Sequence, residues 1–102
     1  MSSVKQAVIL AGGRGSRLAP ITDSLPKPMV DVNGEPFLSH LIRLVTNQGI
    51  TEVIILTGYR GDQIHEYFGT GENFGVHIKY SHGPESWSTG ERLLAATPLL
   101  DA

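Results

Sequence analysis

Three observations predict an α/β fold built on a parallel sheet. Short runs rich in β-branched residues stand at residues 7–11, 51–57 and 76–81, and helix-period stretches separate them. The segment between the first two runs is long enough for a crossover helix, which parallel pairing requires. A glycine-rich turn directly follows the first run, at the C-terminal strand edge where open α/β sheets take their ligands.

Ala7-Val8-Ile9-Leu10-Ala11 is apolar on both faces, as in a strand covered from both sides. The following segment, to residue 36, reads as one long loop. Residues 37–48 form a helix with Leu38, Leu41, Ile42 and Val45 on one face, stopped by Gly49. Val53-Ile54-Ile55-Leu56 makes residues 51–57 a buried strand. Residues 61–68 form a second helix, with Asp62 near its start, an apolar face from Ile64, Tyr67 and Phe68, and Gly69 as its stop. Val76-His77-Ile78-Lys79-Tyr80-Ser81 alternates, giving a third strand with one face to the core and the other more polar. Ser88 and Glu91 have the spacing of a capping box that opens a last helix, and Pro98 closes it. Internal repeats and low-complexity segments are absent. In the order 3-2-1 the first strand lies at an edge, so its backbone groups call for a partner.

The 102 residues, 40% of them hydrophobic, suit one domain or part of one. Without cysteine there is neither a disulfide framework nor a thiolate metal site. No signal peptide and no bilayer-length apolar stretch stands in the sequence, so a soluble cytoplasmic protein without membrane partners is expected. Through residue 27 there are four cations (Lys5, Arg14, Arg17, Lys27) and one anion (Asp23), whereas the rest carries four cations and nine anions. That asymmetry fits one small polyanionic ligand better than nucleic acid, which needs an extended basic stripe.

Residues 10–29 read LAGGRGSRLAPITDSLPKPM. Gly12, Gly13 and Gly15 can adopt backbone conformations closed to other residues, letting consecutive N–H groups converge on an anion. Arg14, Arg17 and Lys27 add charge. The loop is not a Walker A motif, since no Gly-Lys-Ser/Thr follows, and it lacks the third glycine of G-x-G-x-x-G, which disfavours a dinucleotide-dependent oxidoreductase.

The spacing G-G-x-G-x-R-L-x-P-x-T, here Gly12 to Thr22, followed by Leu25-Pro26-Lys27-Pro28, resembles the signature of the sugar-phosphate nucleotidyltransferases. The similarity extends through PMVDVNGEPFLSHLI and GITEVIILTGY. It implies a Rossmann-like three-layer sandwich with a mostly parallel sheet, of which the first three strands and flanking helices are present. It further implies transfer of a nucleoside monophosphate from a nucleoside triphosphate to a sugar 1-phosphate, with release of pyrophosphate. Among such enzymes the chain looks most like bacterial ones using hexose, heptose or N-acetylmuramic acid 1-phosphate, with CTP, GTP, UTP or dTTP as donor.

By this resemblance Leu10, Ala11, Gly12 and Gly13 approach base and ribose through backbone atoms, and Gly15, Ser16 and Arg17 meet the phosphates. Charge develops on both the transferring and the leaving phosphoryl groups, so Arg17 and Lys27 are the candidate catalytic cations. Arg14 reads equally as a solvated loop cation. Pro20, Pro26 and Pro28 stiffen the loop, and Asp23 reads as a turn-forming carboxylate. Residues 82–91, HGPESWSTGE, stand where the family carries a base-reading loop, and Thr89 and Gly90 fit its pattern. Glu91 departs from that pattern, as a helix cap or as a base contact. Trp87 is a nucleobase platform or a hydrophobic anchor. His40 and His65 fall on solvated helix faces, His77 on the polar strand face and His82 near the cleft; none has metal-ligand spacing.

The resemblance implies Mg²⁺, a hard cation suited to phosphoryl oxygens and carboxylates, with its aspartates beyond Ala102. It also implies a fourth strand beside the first. On that reading residues 1–102 are the N-terminal, nucleotide-binding part of a longer catalytic domain, inactive alone, or a chain completing its sheet by strand exchange or homo-oligomerisation. The alternative is a non-catalytic nucleotide-sensing or assembly module that keeps the phosphate cradle.

Overall fold

The computed structural model describes residues 5–11, 27–84 and 86–100. In chain order these form β1 (Gln6–Ala11), a 3-10 turn (Lys27–Met29), β2 (Asp31–Val32), β3 (Glu35–Pro36), α1 (Phe37–Asn47), β4 (Glu52–Thr57), α2 (Gly61–Phe68), a 3-10 turn (Glu72–Phe74), β5 (His77–His82), α3 (Thr89–Ala96) and a closing 3-10 turn (Thr97–Leu99).

β1, β4 and β5 make a parallel sheet in the order β1-β4-β5, the predicted 3-2-1 arrangement. The apolar run of β4 occupies the centre because only a central strand has both faces and both edges covered; Val53 to Leu56 are fully buried. The register aligns Ala11 with Thr57 and Thr57 with His82, so all three strands end at one level.

Helices cover both faces. On one, Leu38 and Ile42 of α1 and Ile64 and Phe68 of α2 pack with Val53, Ile55 and Ile78. On the other, Ala96 of α3 packs with Ile54 and Leu56, joined by Leu99. This gives the expected three layers. The predicted stops are present too: the N–H of Gly49 donates to the Thr46 carbonyl and that of Gly69 to the His65 carbonyl.

Three expectations change. The stretch read as one long loop contains the β2–β3 hairpin, closed by Asn33 (φ 53°) and Gly34 (φ 91°), a pair suited to a two-residue turn with both central φ positive. Arg43 and Glu35 form a two-pronged ion pair, and His40 Nε2 lies 2.9 Å from the Val32 carbonyl, so α1 holds the hairpin. Tyr67 is 52% exposed rather than part of the α2 core face. Ile64 and Phe68, four apart, centre the buried stripe, and Tyr67 falls at its margin. Finally, β1 is not covered on both faces. Val8 and Leu10 share the α3 face with Ile54 and Leu56 but are 37% and 52% exposed, because among the described residues β1 pairs on one side only.

Candidate functional site

The aligned ends of β1, β4 and β5 form the C-terminal edge of the sheet. Ala11, the last residue of β1, is buried there beside exposed Leu10. Gly12, Gly13, Arg14, Gly15, Ser16, Arg17, Pro20, Asp23 and Pro26 lie outside the described residues. Lys27 opens the 3-10 turn in which the chain re-enters. Leu10 and Pro28 line one apolar cleft of about 200 Å³ with Ile9, Phe37, Leu38 and Leu41. Leu10 and Pro28, which flank the glycine-rich segment in sequence, thus meet at one corner of the sheet.

From β4 the chain turns through Gly58-Tyr59-Arg60 into α2. Arg60 is exposed and left-handed (φ 54°), a conformation costly for a residue with a Cβ and found disproportionately at functional sites. Its guanidinium lies 5.9 Å from the centre of the Tyr59 ring, within cation–π range. Thr57 Oγ1 and His82 Nδ1, 3.0 Å apart, tie the ends of β4 and β5 together. They line a small cleft with Gly61, Asp62, His65 and Tyr80. The His65 ring stacks on Tyr80 at 4.3 Å, and burial pushes the Tyr80 hydroxyl up to about 12, so it stays a hydrogen-bond donor, 2.7 Å from the Gly69 carbonyl.

Beyond β5, residues 83–88 lead into α3. Ser88 and Glu91 form the predicted capping box: Glu91 N–H donates to Ser88 Oγ at 3.2 Å, and Ser88 N–H donates to Glu91 Oε1 at 3.0 Å. The Ser88 N–H is the main cause holding the Glu91 carboxyl below its usual value, and the Ser88 hydroxyl adds to it. Thr89 and Gly90 are the exposed first residues of α3. The Trp87 ring lies against Gly83, where a Cβ would sit 2.3 Å from Trp87 Cε3, so this aromatic anchors its own loop.

The main polar feature of this edge carried no local signal in the sequence. Arg92, 6% exposed, donates from Nη1 to the Thr57 carbonyl and from Nη2 to the Pro84 carbonyl, both at 2.9 Å. An arginine on a short helix reads as solvated, and its acceptors are distant in sequence. His77 is exposed on β5, His65 exposed on α2, and His40 half-buried against the hairpin. Among the described residues no group of three or more His, Asp or Glu is placed to hold a metal ion, and no helix is long and apolar enough to cross a membrane.

A sequence profile described as nucleotidyl transferase matches residues 6–100. The chain is 43% identical over 97 residues to the N-acetylmuramate alpha-1-phosphate uridylyltransferase of Neisseria meningitidis serogroup B, covering 93% of this chain and 42% of that protein. It is 45% identical over 85 residues to the D-glycero-alpha-D-manno-heptose 1-phosphate guanylyltransferase of Campylobacter jejuni, covering 83% of this chain and 38% of that one. Among solved structures, HddC from Yersinia pseudotuberculosis in complex with GMP-PN superposes with a TM-score of 0.84 at 31% identity, over 97% of this chain and 44% of its own. A UDP-glucose pyrophosphorylase complexed with UDP-glucose shares the fold, with a TM-score of 0.82 at 22% identity, over 95% of this chain and 41% of its own. The chain thus spans about two-fifths of the length of these relatives. With a profile match over nearly all of the sequence, and a parallel sheet in the fold of these relatives, the chain belongs to the nucleotidyl transferase family.

Proposed function

We propose that this chain supplies the nucleotide-binding part of an enzyme that transfers a nucleoside monophosphate from a nucleoside triphosphate to a sugar 1-phosphate, releasing pyrophosphate. The observation that supports the reading is that Leu10, near the end of β1, and Pro28, the neighbour of Lys27 in sequence, line one cleft at the sheet edge. In this reading the backbone N–H groups of Gly15 and Ser16 receive the phosphates, and Gly12 and Gly13 approach base and ribose through backbone atoms. Arg17 and Lys27 hold the charge that develops as an oxygen of the sugar phosphate attacks the α-phosphorus and the bond to pyrophosphate breaks. Leu10 and Ala11 border the nucleoside, and Thr89 and Gly90 approach it from the start of α3. The relatives named above act on N-acetylmuramate and heptose 1-phosphates, which supports a bacterial hexose, heptose or related sugar 1-phosphate as acceptor.

Mg²⁺ is the cofactor the resemblance implies. Among the described residues no group of three or more His, Asp or Glu fits it.

Equilibrium binding tests the site. The chain binds nucleoside triphosphates, and Lys27→Ala or Arg17→Ala weakens binding by about tenfold, the loss of one charge-assisted contact. Unchanged affinity in both variants overturns the assignment. Pyrophosphate release from triphosphates with a panel of sugar 1-phosphates, assayed on a polypeptide that carries this segment at full family length, tests the transfer. Binding there without turnover favours the non-catalytic module.

A further inference from the structure

We propose that Arg92 is a positioning residue for nucleotide recognition, its guanidinium pinning the loop after β5 to the end of β4 and so fixing Thr89 and Gly90 at the sheet edge. The inference rests on the nucleotide-binding reading given above.

The clamp joins the end of β4 to the loop after β5, which a backbone bond from Gly83 N–H to the Thr57 carbonyl also links. Arg92 Nη1 donates to the Thr57 carbonyl and Nη2 to the Pro84 carbonyl, each at 2.9 Å. The same acceptors serve the loop itself: Gly83 N–H donates to the Thr57 carbonyl at 2.9 Å, and Trp87 N–H donates to the Pro84 carbonyl at 3.1 Å. Gly83, Pro84 and Trp87 are therefore tied to Arg92 through the two carbonyls that they share with it. Packing against Gly83 fixes Trp87, and the capping box fixes Ser88, so the path into Thr89 is held throughout.

Two features suit arginine to this place. Its planar fork carries two donors in fixed geometry, which a lysine cannot reproduce from one ammonium. Opposite it stands Gly58, where a Cβ would lie 2.5 to 2.9 Å from three guanidinium atoms. The room for the clamp is thus made by the β4–α2 turn, and a methyl group there displaces the guanidinium.

A purely structural arginine would contribute stability without affecting recognition, so the test must separate the two. Trp87 is the only tryptophan of the chain, and it sits in the clamped loop. The chain is compared with Arg92→Met, Arg92→Lys and Gly58→Ala by tryptophan emission, cooperative thermal unfolding, and affinity for inorganic tripolyphosphate and for ATP, CTP, GTP and UTP. In Arg92→Met we expect red-shifted emission and little change in tripolyphosphate affinity. The ratio between its best and worst nucleotide should fall about tenfold, the worth of one well-placed charge-assisted contact. Gly58→Ala should reproduce this pattern, and Arg92→Lys, keeping one donor, should recover part of the ratio.

Emission and nucleotide ratio both unchanged in a folded Arg92→Met or Gly58→Ala overturn the proposal. So does a parallel fall in tripolyphosphate and nucleotide affinity, which marks a structural role only. Should Arg92→Met lose cooperative unfolding, Gly58→Ala and Arg92→Lys decide the matter by the same criteria. A parent chain that binds neither tripolyphosphate nor any nucleotide refutes the nucleotide-binding reading, and the recognition role falls with it. Selective parent binding with an unaltered variant ratio refutes the role of Arg92 alone.

Discussion

Both ends of the sheet are laced across the strands by polar side chains, but with different chemistry. At the N-terminal end Gln6 Nε2 donates to Glu52 Oε1 at 2.7 Å and to the Leu99 carbonyl at 3.2 Å, and Lys79 Nζ lies 3.1 Å from the same Glu52 oxygen. These groups are half-buried and within reach of solvent, where water and salt compete for each partner. At the C-terminal end a buried guanidinium grips two backbone carbonyls, and a histidine meets a buried threonine. The first arrangement closes the sheet and lets the surface stay adaptable. The second spends buried polar groups on the placement of loops, which is the pattern expected where a ligand is read.

This difference orders the mutational effects. Arg92→Met has the largest: it removes the charge-assisted bonds to the Thr57 and Pro84 carbonyls, yet Thr57 O keeps Gly83 N–H and Pro84 O keeps Trp87 N–H. A loss of about 2 kcal/mol in unfolding free energy is expected from denaturant titration. Ser88→Ala removes the α3 cap at the same edge and should cost about 1 kcal/mol by the same method. A cost for Ser88→Ala above that of Arg92→Met would reverse the ranking on which the clamp rests.

The smallest effect belongs to the N-terminal end. The Gln6 amide, and after it Lys79, hold the Glu52 carboxyl below its ordinary value of 4.5. A group depressed in the folded state stabilises above its unfolded value and loses that contribution as pH falls through the lower folded one. Thermal midpoints should therefore decline below about pH 4.5. Glu52→Gln should make the decline shallower while lowering the plateau near neutrality slightly. Part of the decline remains, because Glu35 and Glu91 are depressed as well. An acid limb identical in the variant would remove Glu52 from the account.

Local and periodic features were legible in the sequence, and long-range ones were not. The apolar run of β4, the i, i+4 stripe of α1 and the glycine stops at Gly49 and Gly69 each act within a few residues, so spacing alone reveals them. The capping box at Ser88 and Glu91 is legible for the same reason. The β2–β3 hairpin escaped because strands of two residues show no alternation, although Asn33-Gly34 was the available signal. The exposure of Val8 and Leu10 depends on which neighbours β1 has, and no run of residues encodes that. Arg92 escaped because its role is set by carbonyls 35 and 8 residues away. The proposed phosphate cradle rests on resemblance together with the cations at Arg14, Arg17 and Lys27, and Leu10 and Pro28, which flank it in sequence, line one cleft.

The central claim is that the C-terminal sheet edge is the nucleotide site. Amide chemical shifts of the isotopically labelled chain, followed while a nucleoside triphosphate is added, test it most directly. The account predicts saturable changes in Ala11 through Arg17, Lys27, Gly58 to Arg60 and the loop into Thr89 and Gly90, with Gln6, Glu52, His77 and Lys79 unmoved. Saturable changes centred on that second group, or on the α1–α2 face, would contradict it.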